Sequence, residues 1–174
     1  MLTMSQPLRA LAILVFLHVF AGQSAAAALT PTTAHQLLQE VREAHAPVVL
    51  VHLWATWCPP CREEFPQVVA LEREYRGHGL KVLLVSADSA NNLGAVQDFL
   101  REHKVDYPTF IKAQNDQAFI AGLGDQWRGE LPASLFFDSK GTLKTWWPGP
   151  GDKARFEQTV QSLLKASGRP EGSP

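Results

Sequence analysis

The chain has 174 residues, 45% of them hydrophobic and 19% charged, which are the proportions of a globular domain rather than of a disordered chain. Its formal net charge of −1, from 16 Lys+Arg against 17 Asp+Glu, offers no basic face for nucleic acid. The only two cysteines, Cys58 and Cys61, are too few for a disulfide-rich scaffold.

Residues 1–28 read as an export leader. Arg9 is the single charge there and precedes the apolar run from Ala10 to Leu17, which continues past His18 to Gly22. Small residues from Ser24 to Ala28 supply cleavage sites of the A-x-A kind. A signal peptide is expected, with an uncleaved membrane anchor as the alternative, and either places the rest of the chain outside the cytoplasm. Loss of Arg9 leaves 15 Lys+Arg against 17 Asp+Glu, a net of −2.

Residues 29–166 are expected to form one domain. Thr32 or Thr33 can cap a helix to about Ala44, with Leu37, Leu38 and Val41 on one face. Pro47 ends it. Val48 to Trp54 is almost continuously apolar, as in a strand buried on both faces. A helix is predicted from Pro59 to about Arg76, stopping at Gly77 and Gly79. Lys81–Ser86 reads as a strand, Leu93–His103 as a helix, Tyr107–Ile111 as an extended piece and Asp116–Ala121 as a short helix. Ala133–Phe137 and Leu143–Trp147 are strands joined by a hairpin turn in which Gly141 can take positive φ. Lys153–Ala166 is the closing helix, and residues 167–174 form a flexible tail. Alternating strands and helices followed by a hairpin and a last helix predict an α/β fold, a central mixed sheet with helices on both faces.

Cys58 and Cys61 fall where a buried strand meets a helix. A bridge across so short a loop removes little chain entropy, so it is a poor staple. The spacing points to redox chemistry or to half a zinc site, and no second cysteine pair exists to complete the latter. A sulfur at the helix N-terminus is favoured as thiolate, the form that attacks disulfides. Cys58 is therefore expected to be exposed and to attack, and Cys61, one turn on, to be buried and to resolve. Pro59 suits the first helical position. Pro59 and Pro60 also remove two N–H donors near the Cys58 sulfur. Weaker thiolate stabilisation favours a reductant over an oxidant.

The segment Val51-His52-Leu53-Trp54-Ala55-Thr56-Trp57-Cys58-Pro59-Pro60-Cys61-Arg62-Glu63-Glu64-Phe65-Pro66 resembles the active-site region of the TlpA-like branch of the thioredoxin superfamily. Lys81–Asp88, Leu131–Gly141 and the last helix fit the family order, so the resemblance spans about residues 32–166. It implies a thioredoxin fold and an extracytoplasmic, periplasmic thiol–disulfide oxidoreductase that reduces disulfides in exported proteins through a mixed disulfide. It also implies a DsbD-type membrane electron donor, and a membrane tether where the leader is not cleaved. No cofactor and no metal are expected, and a monomer is.

The same resemblance makes Pro132 a cis-proline beside the dithiol and assigns substrate contact to Trp57, Pro59, Leu131 and Pro132. It gives Glu64 a proton-handling role, against the alternative of an exposed helix glutamate. His52 departs from the buried Asp that thioredoxins carry at its place. It is expected to be a neutral core histidine, with a share in a proton relay with Glu64 as the sharper alternative. Trp54 fits the aromatic frame. One of Trp146 and Trp147 should face the core and one outward, and Trp127 could be core or contact surface.

Other activities remain open: a disulfide oxidase, or a redox partner or copper carrier in cytochrome or copper-centre assembly. Oxidases usually hold a His between the cysteines, and copper-binding Sco-like relatives have three intervening residues; neither feature is present here. The Gly-rich stretch before Pro-Glu-Thr of cytochrome c maturation reductases is not matched by Gly129-Glu130-Leu131-Pro132-Ala133.

The leader reading is tested by fusing residues 1–28 to a reporter. The fusion is expected to cross the membrane; native protein found in the cytoplasm with residues 1–28 intact would contradict it.

Overall fold

The structure, a computed structural model, describes residues 28–168. All but Ala28 of the expected leader, and the tail from residue 169, lie outside the described residues.

Among the described residues six strands and five α-helices follow one another in the order β1 (Leu29–Thr32), α1 (Ala34–Glu43), β2 (Val48–Trp54), α2 (Pro59–Tyr75), β3 (Leu80–Ser86), α3 (Leu93–Glu102), β4 (Thr109–Lys112), α4 (Asp116–Leu123), β5 (Ala133–Asp138), β6 (Leu143–Pro148) and α5 (Lys153–Ala166). The strands form one sheet of order β1-β4-β3-β2-β5-β6. β1, β4, β3 and β2 run parallel to their neighbours, and β5 and β6 run antiparallel. This is the mixed sheet with helices on both faces that the sequence pattern predicts.

Every residue of β2 is buried, because the strand lies at the centre of the sheet between two layers of helix. Its side chains alternate between the layers. Val49, Val51 and Leu53 join Leu37 and Val41 of α1 and Phe119 of α4 in one cluster. Val48, Leu50 and Trp54 join Phe65 of α2, Phe99 of α3 and Phe156 of α5 in the other. The alternation places His52 on this second face, beneath α2. There Trp54, Phe65 and Phe99 pack with ring centroids 4.6 to 5.0 Å apart. Full burial of one such side chain contributes about 1.5–3 kcal/mol, so this cluster anchors the start of α2 to the sheet.

The local signals account for the element ends. Thr33 caps α1 through a reciprocal pair with Gln36. The chain after α2 tightens into a 3-10 turn, Arg76–His78, and leaves it through Gly79 at φ 101°. In the β5–β6 hairpin Asp138 accepts from the N–H groups of Lys140 and Thr142, and Gly141 has φ 76°. Trp147 is buried in the core, while Trp146 is half-buried against the opposite cluster. The two indoles thus lie on opposite faces of β6, one in the core and one partly exposed.

β1 has no counterpart in the sequence reading. It has four residues, one of them Pro31, and no apolar run. It forms the sheet edge, where a proline without an N–H is tolerated. The extended piece expected at Tyr107–Ile111 is displaced to Thr109–Lys112, beyond Pro108.

Candidate active site

β2 ends at Trp54, and the chain turns through Ala55-Thr56-Trp57 before α2 begins. The Cys58 N–H donates to Ala55 O at 3.2 Å, which closes the turn. Cys58 is the N-cap of α2 in extended backbone, and its sulfur accepts the N–H of Cys61 at 3.3 Å. A cysteine sulfur thus fills the place that Ser, Thr or Asp usually takes at a helix start. Pro59 and Pro60 occupy the first two helical positions without N–H groups, leaving the Cys61 N–H as the near donor.

Cys58 and Cys61 form a disulfide, with Cα atoms 5.3 Å apart. Cys61 is fully buried, and Cys58 is only 4% exposed. The expectation that Cys58 is exposed therefore fails for this oxidised form, although Cys58 is the more accessible of the two. Its sulfur is turned inward to Cys61 and the helix N–H, and the neighbouring Trp57 projects outward instead, 64% exposed.

The turn is fixed from the side by Asp88, which follows β3 and is fully buried. Its carboxylate accepts from Thr56 N at 2.9 Å, Ser86 Oγ at 2.7 Å, Asn92 Nδ2 at 2.6 Å and the Thr56 hydroxyl. Burial pushes the Asp88 carboxyl up, but the donors from Thr56, Ser86 and Asn92 outweigh it and hold it below the ordinary range. Sequence reading missed this residue. The available signal was an Asp two positions after a buried Ser at the end of an apolar strand, which by itself is an ordinary strand terminus.

Strand register brings the remaining expected residues to the same end of the sheet. Leu53 opposes Ala133 and His52 opposes Ser134, so the start of β5 lies beside the end of β2. The Leu131–Pro132 bond is cis, and Pro132 O accepts from Gly149 N at 2.8 Å. Pro132 is buried, Leu131 half-buried and Pro59 exposed. Leu131 and Trp57 line one cavity.

Under the dithiol lies a buried polar chain. Glu64 stands three residues after Cys61, on the same helix face. It is 2% exposed, which removes the alternative of an exposed helix glutamate. Glu64 Oε2 accepts from Gly151 N at 2.7 Å, and Oε1 lies 3.4 Å from His52 Nε2. His52 Nδ1 is 3.1 Å from Ser134 Oγ. Among the described residues neither Glu64 Oε1 nor His52 Nε2 has a better-placed partner. Burial lowers the His52 imidazole to about 3. Burial raises the Glu64 carboxyl to about 7, with the Gly151 N–H pulling partly the other way. At neutral pH the contact is therefore no ion pair. His52 is neutral and Glu64 is poised to gain or lose a proton. The tautomer with its proton on Nδ1 donates to Ser134 and leaves Nε2 facing the Glu64 acid proton. Among the described residues no cluster of three or more His, Cys, Asp and Glu could hold a metal ion.

A redox-active Cys-x-x-Cys pair at a helix start, on a mixed sheet with a cis-proline strand beside it, defines a thiol–disulfide oxidoreductase of thioredoxin fold. The AhpC/TSA family model matches residues 22–145, and the chain belongs to that family. It is similar to the thiol-disulfide oxidoreductase ResA of Bacillus thuringiensis, 27% identical over 124 residues that cover 71% of this chain and 68% of the relative. It is also similar to the sporulation thiol-disulfide oxidoreductase A of Bacillus subtilis, 24% identical over 58% of this chain and 59% of the relative. A thiol:disulfide interchange protein from Chlorobium tepidum superimposes with a TM-score of 0.60 at 26% identity, covering 70% of this chain and 83% of that one.

The buried acid gives a stability test with a defined sign. A raised folded-state pKa means that Glu64 stabilises the fold least once both states are ionised. Its contribution is fully present below the unfolded value of 4.5 and is lost as pH rises to about 7. Glu64→Gln carries no such loss. Measured by denaturant unfolding of the oxidised protein, the variant should gain on wild type by about 1–3 kcal/mol between these limits and then level off. A difference independent of pH would show that Glu64 is not a buried acid.

Proposed function

We propose that this chain reduces disulfides in exported proteins, with Cys58 as nucleophile and Cys61 as resolving thiol. The observation that carries the direction is the thin set of donors at the Cys58 sulfur. With Pro59 and Pro60 at the helix start, the hydrogen bond it accepts comes from Cys61 N–H. A less stabilised thiolate makes the dithiol the more readily oxidised form, which suits a reductant.

In the first half-reaction the Cys58 thiolate attacks one sulfur of a substrate disulfide. That S–S bond breaks, a Cys58–substrate bond forms, and the released substrate thiolate takes a proton. In the second, Cys61 gives its proton to Glu64 and attacks the Cys58 sulfur. The mixed disulfide breaks, the Cys58–Cys61 bond forms, and the second substrate thiol leaves with two electrons gained overall. A carboxyl held near 7 can take that proton and return it to solvent at neutral pH. His52 serves as a neutral partner that holds the Glu64 proton in place. Trp57, Pro59, Leu131 and Pro132 form the substrate contact around the sulfurs.

The cycle requires re-reduction of the Cys58–Cys61 bond. The donor is a DsbD-type membrane transporter, as the family resemblance implies, and residues 1–28 export or tether the chain so that the two can meet. Among the described residues no helix is long and apolar enough to cross a membrane.

Cys61→Ser cannot complete the second half-reaction. Expressed with its leader, it should accumulate mixed disulfides with exported proteins, seen as thiol-sensitive adducts on non-reducing gels, and Cys58→Ser should not. Adducts on Cys58→Ser and none on Cys61→Ser would reverse the two roles.

A further inference from the structure

A cavity of about 180 Å³ opens at the active-site turn, and the half-reactions above use only its Trp57 and Leu131. Trp57 of the active-site turn and Leu131 of the cis-proline segment form the wall toward the sulfurs, and Phe119, Ile120 and Trp127 form the rest. The cavity is thus continuous with the surface that a substrate must cover to reach Cys58. Its floor is rigid. Trp127 is 3% exposed, stands edge-on to Phe119 with centroids 6.4 Å apart, and donates its indole N–H to Glu130 O at 2.7 Å. The loop passes so close to Ile120 that a Cβ on Gly129 would lie 2.7 Å from Ile120 Cδ1, and Gly129 holds φ 99° there. The outer wall, by contrast, is the exposed Trp57 ring.

The chemistry of the walls selects the occupant. Lys112 lies at the rim, but its ammonium already pairs with Asp116 at 2.7 Å and donates to Gln114 O at 3.1 Å, so it offers no free charge to an anion. Apart from Asp116, Arg128 and Gly129, the rest of the lining is aromatic and aliphatic: Trp57, Ala87, Phe119, Ile120, Trp127 and Leu131. An apolar cavity of about 150 Å³ accommodates a benzene ring, so this one has room for an aromatic side chain.

We propose that this cavity is a selectivity pocket, and that the preferred substrates are polypeptides carrying an aromatic side chain within a few residues of the attacked cysteine. The inference rests on the reductase reading and names its substrate class. As the peptide extends past Leu131 toward Cys58, its ring enters between Trp57 and Ile120 and holds the disulfide over the Cys58 sulfur.

The test uses reduced protein and a synthetic peptide closed by one disulfide, in an all-Ala version and in versions with one Phe or one Trp scanned over the three residues on each side of the attacked cysteine. At least one Phe version should be reduced with kcat/KM about tenfold or more above the Ala version, the discrimination expected of an apolar pocket. Ile120→Trp fills the cavity and should bring that ratio close to one. Ile120→Ala enlarges it and should move the preference from Phe to Trp, which keeps the test decisive if the larger side chain prevents folding. Equal rates across the wild-type scan, or a ratio that survives Ile120→Trp, would overturn the pocket. Failure of wild type to reduce even the Ala peptide would instead count against the reductase reading itself.

Discussion

The site depends on one hydrogen bond donor and the sulfur that it meets. Cys58 caps α2, so the sulfur proposed to attack is also the atom that caps the helix start. The partial positive charge of the helix N-terminus falls on it. Two prolines take away the donors that would otherwise crowd around the sulfur, and the Cys61 N–H remains. On the proposed assignment of Cys58 as nucleophile, the junction also sets how strongly its thiolate is stabilised. Asp88 holds the turn that leads into the junction, and the Trp54, Phe65 and Phe99 cluster holds the helix that leads out of it.

The second constraint is the cost of burying ionisable groups. His52 and Glu64 face each other in the layer between sheet and α2, where a charge on either is disfavoured. Neutral His52 offers one donor and one acceptor, used toward Ser134 and Glu64. Their effects on stability oppose one another. Lowered below its usual range, His52 loses its contribution as pH falls through 6.5, whereas Glu64 loses its own as pH rises from 4.5 to about 7. Between pH 4.5 and 6.5 the contributions of the two groups therefore change in opposite directions.

Much of the fold was legible because it rests on local chemistry. Val48–Trp54 is apolar throughout since both faces are covered, and the capping Thr33, the stop at Gly79 and the Asp138–Gly141 turn each carry their own sequence mark. β1 was not legible, because a four-residue edge strand with a proline has no pattern of its own. The dithiol was legible from its spacing between strand and helix. The contact between His52 and Glu64 was not, since it depends on the face that β2 alternation gives to one and helix phase gives to the other. Asp88 and the cavity between Trp57 and Trp127 are likewise products of tertiary approach. The buried state of Cys58 arises from the disulfide and the cap, which spacing alone does not reveal.

The central claim is that the helix N-cap makes Cys58 the nucleophilic thiol. The direct measurement is the alkylation rate of the fully reduced protein as a function of pH, with the modified cysteine located by mass spectrometry. Cys58 should react first, with a midpoint below the value of about 8.5 for a free cysteine. Faster modification of Cys61, or a Cys58 midpoint at or above that value, would contradict the account.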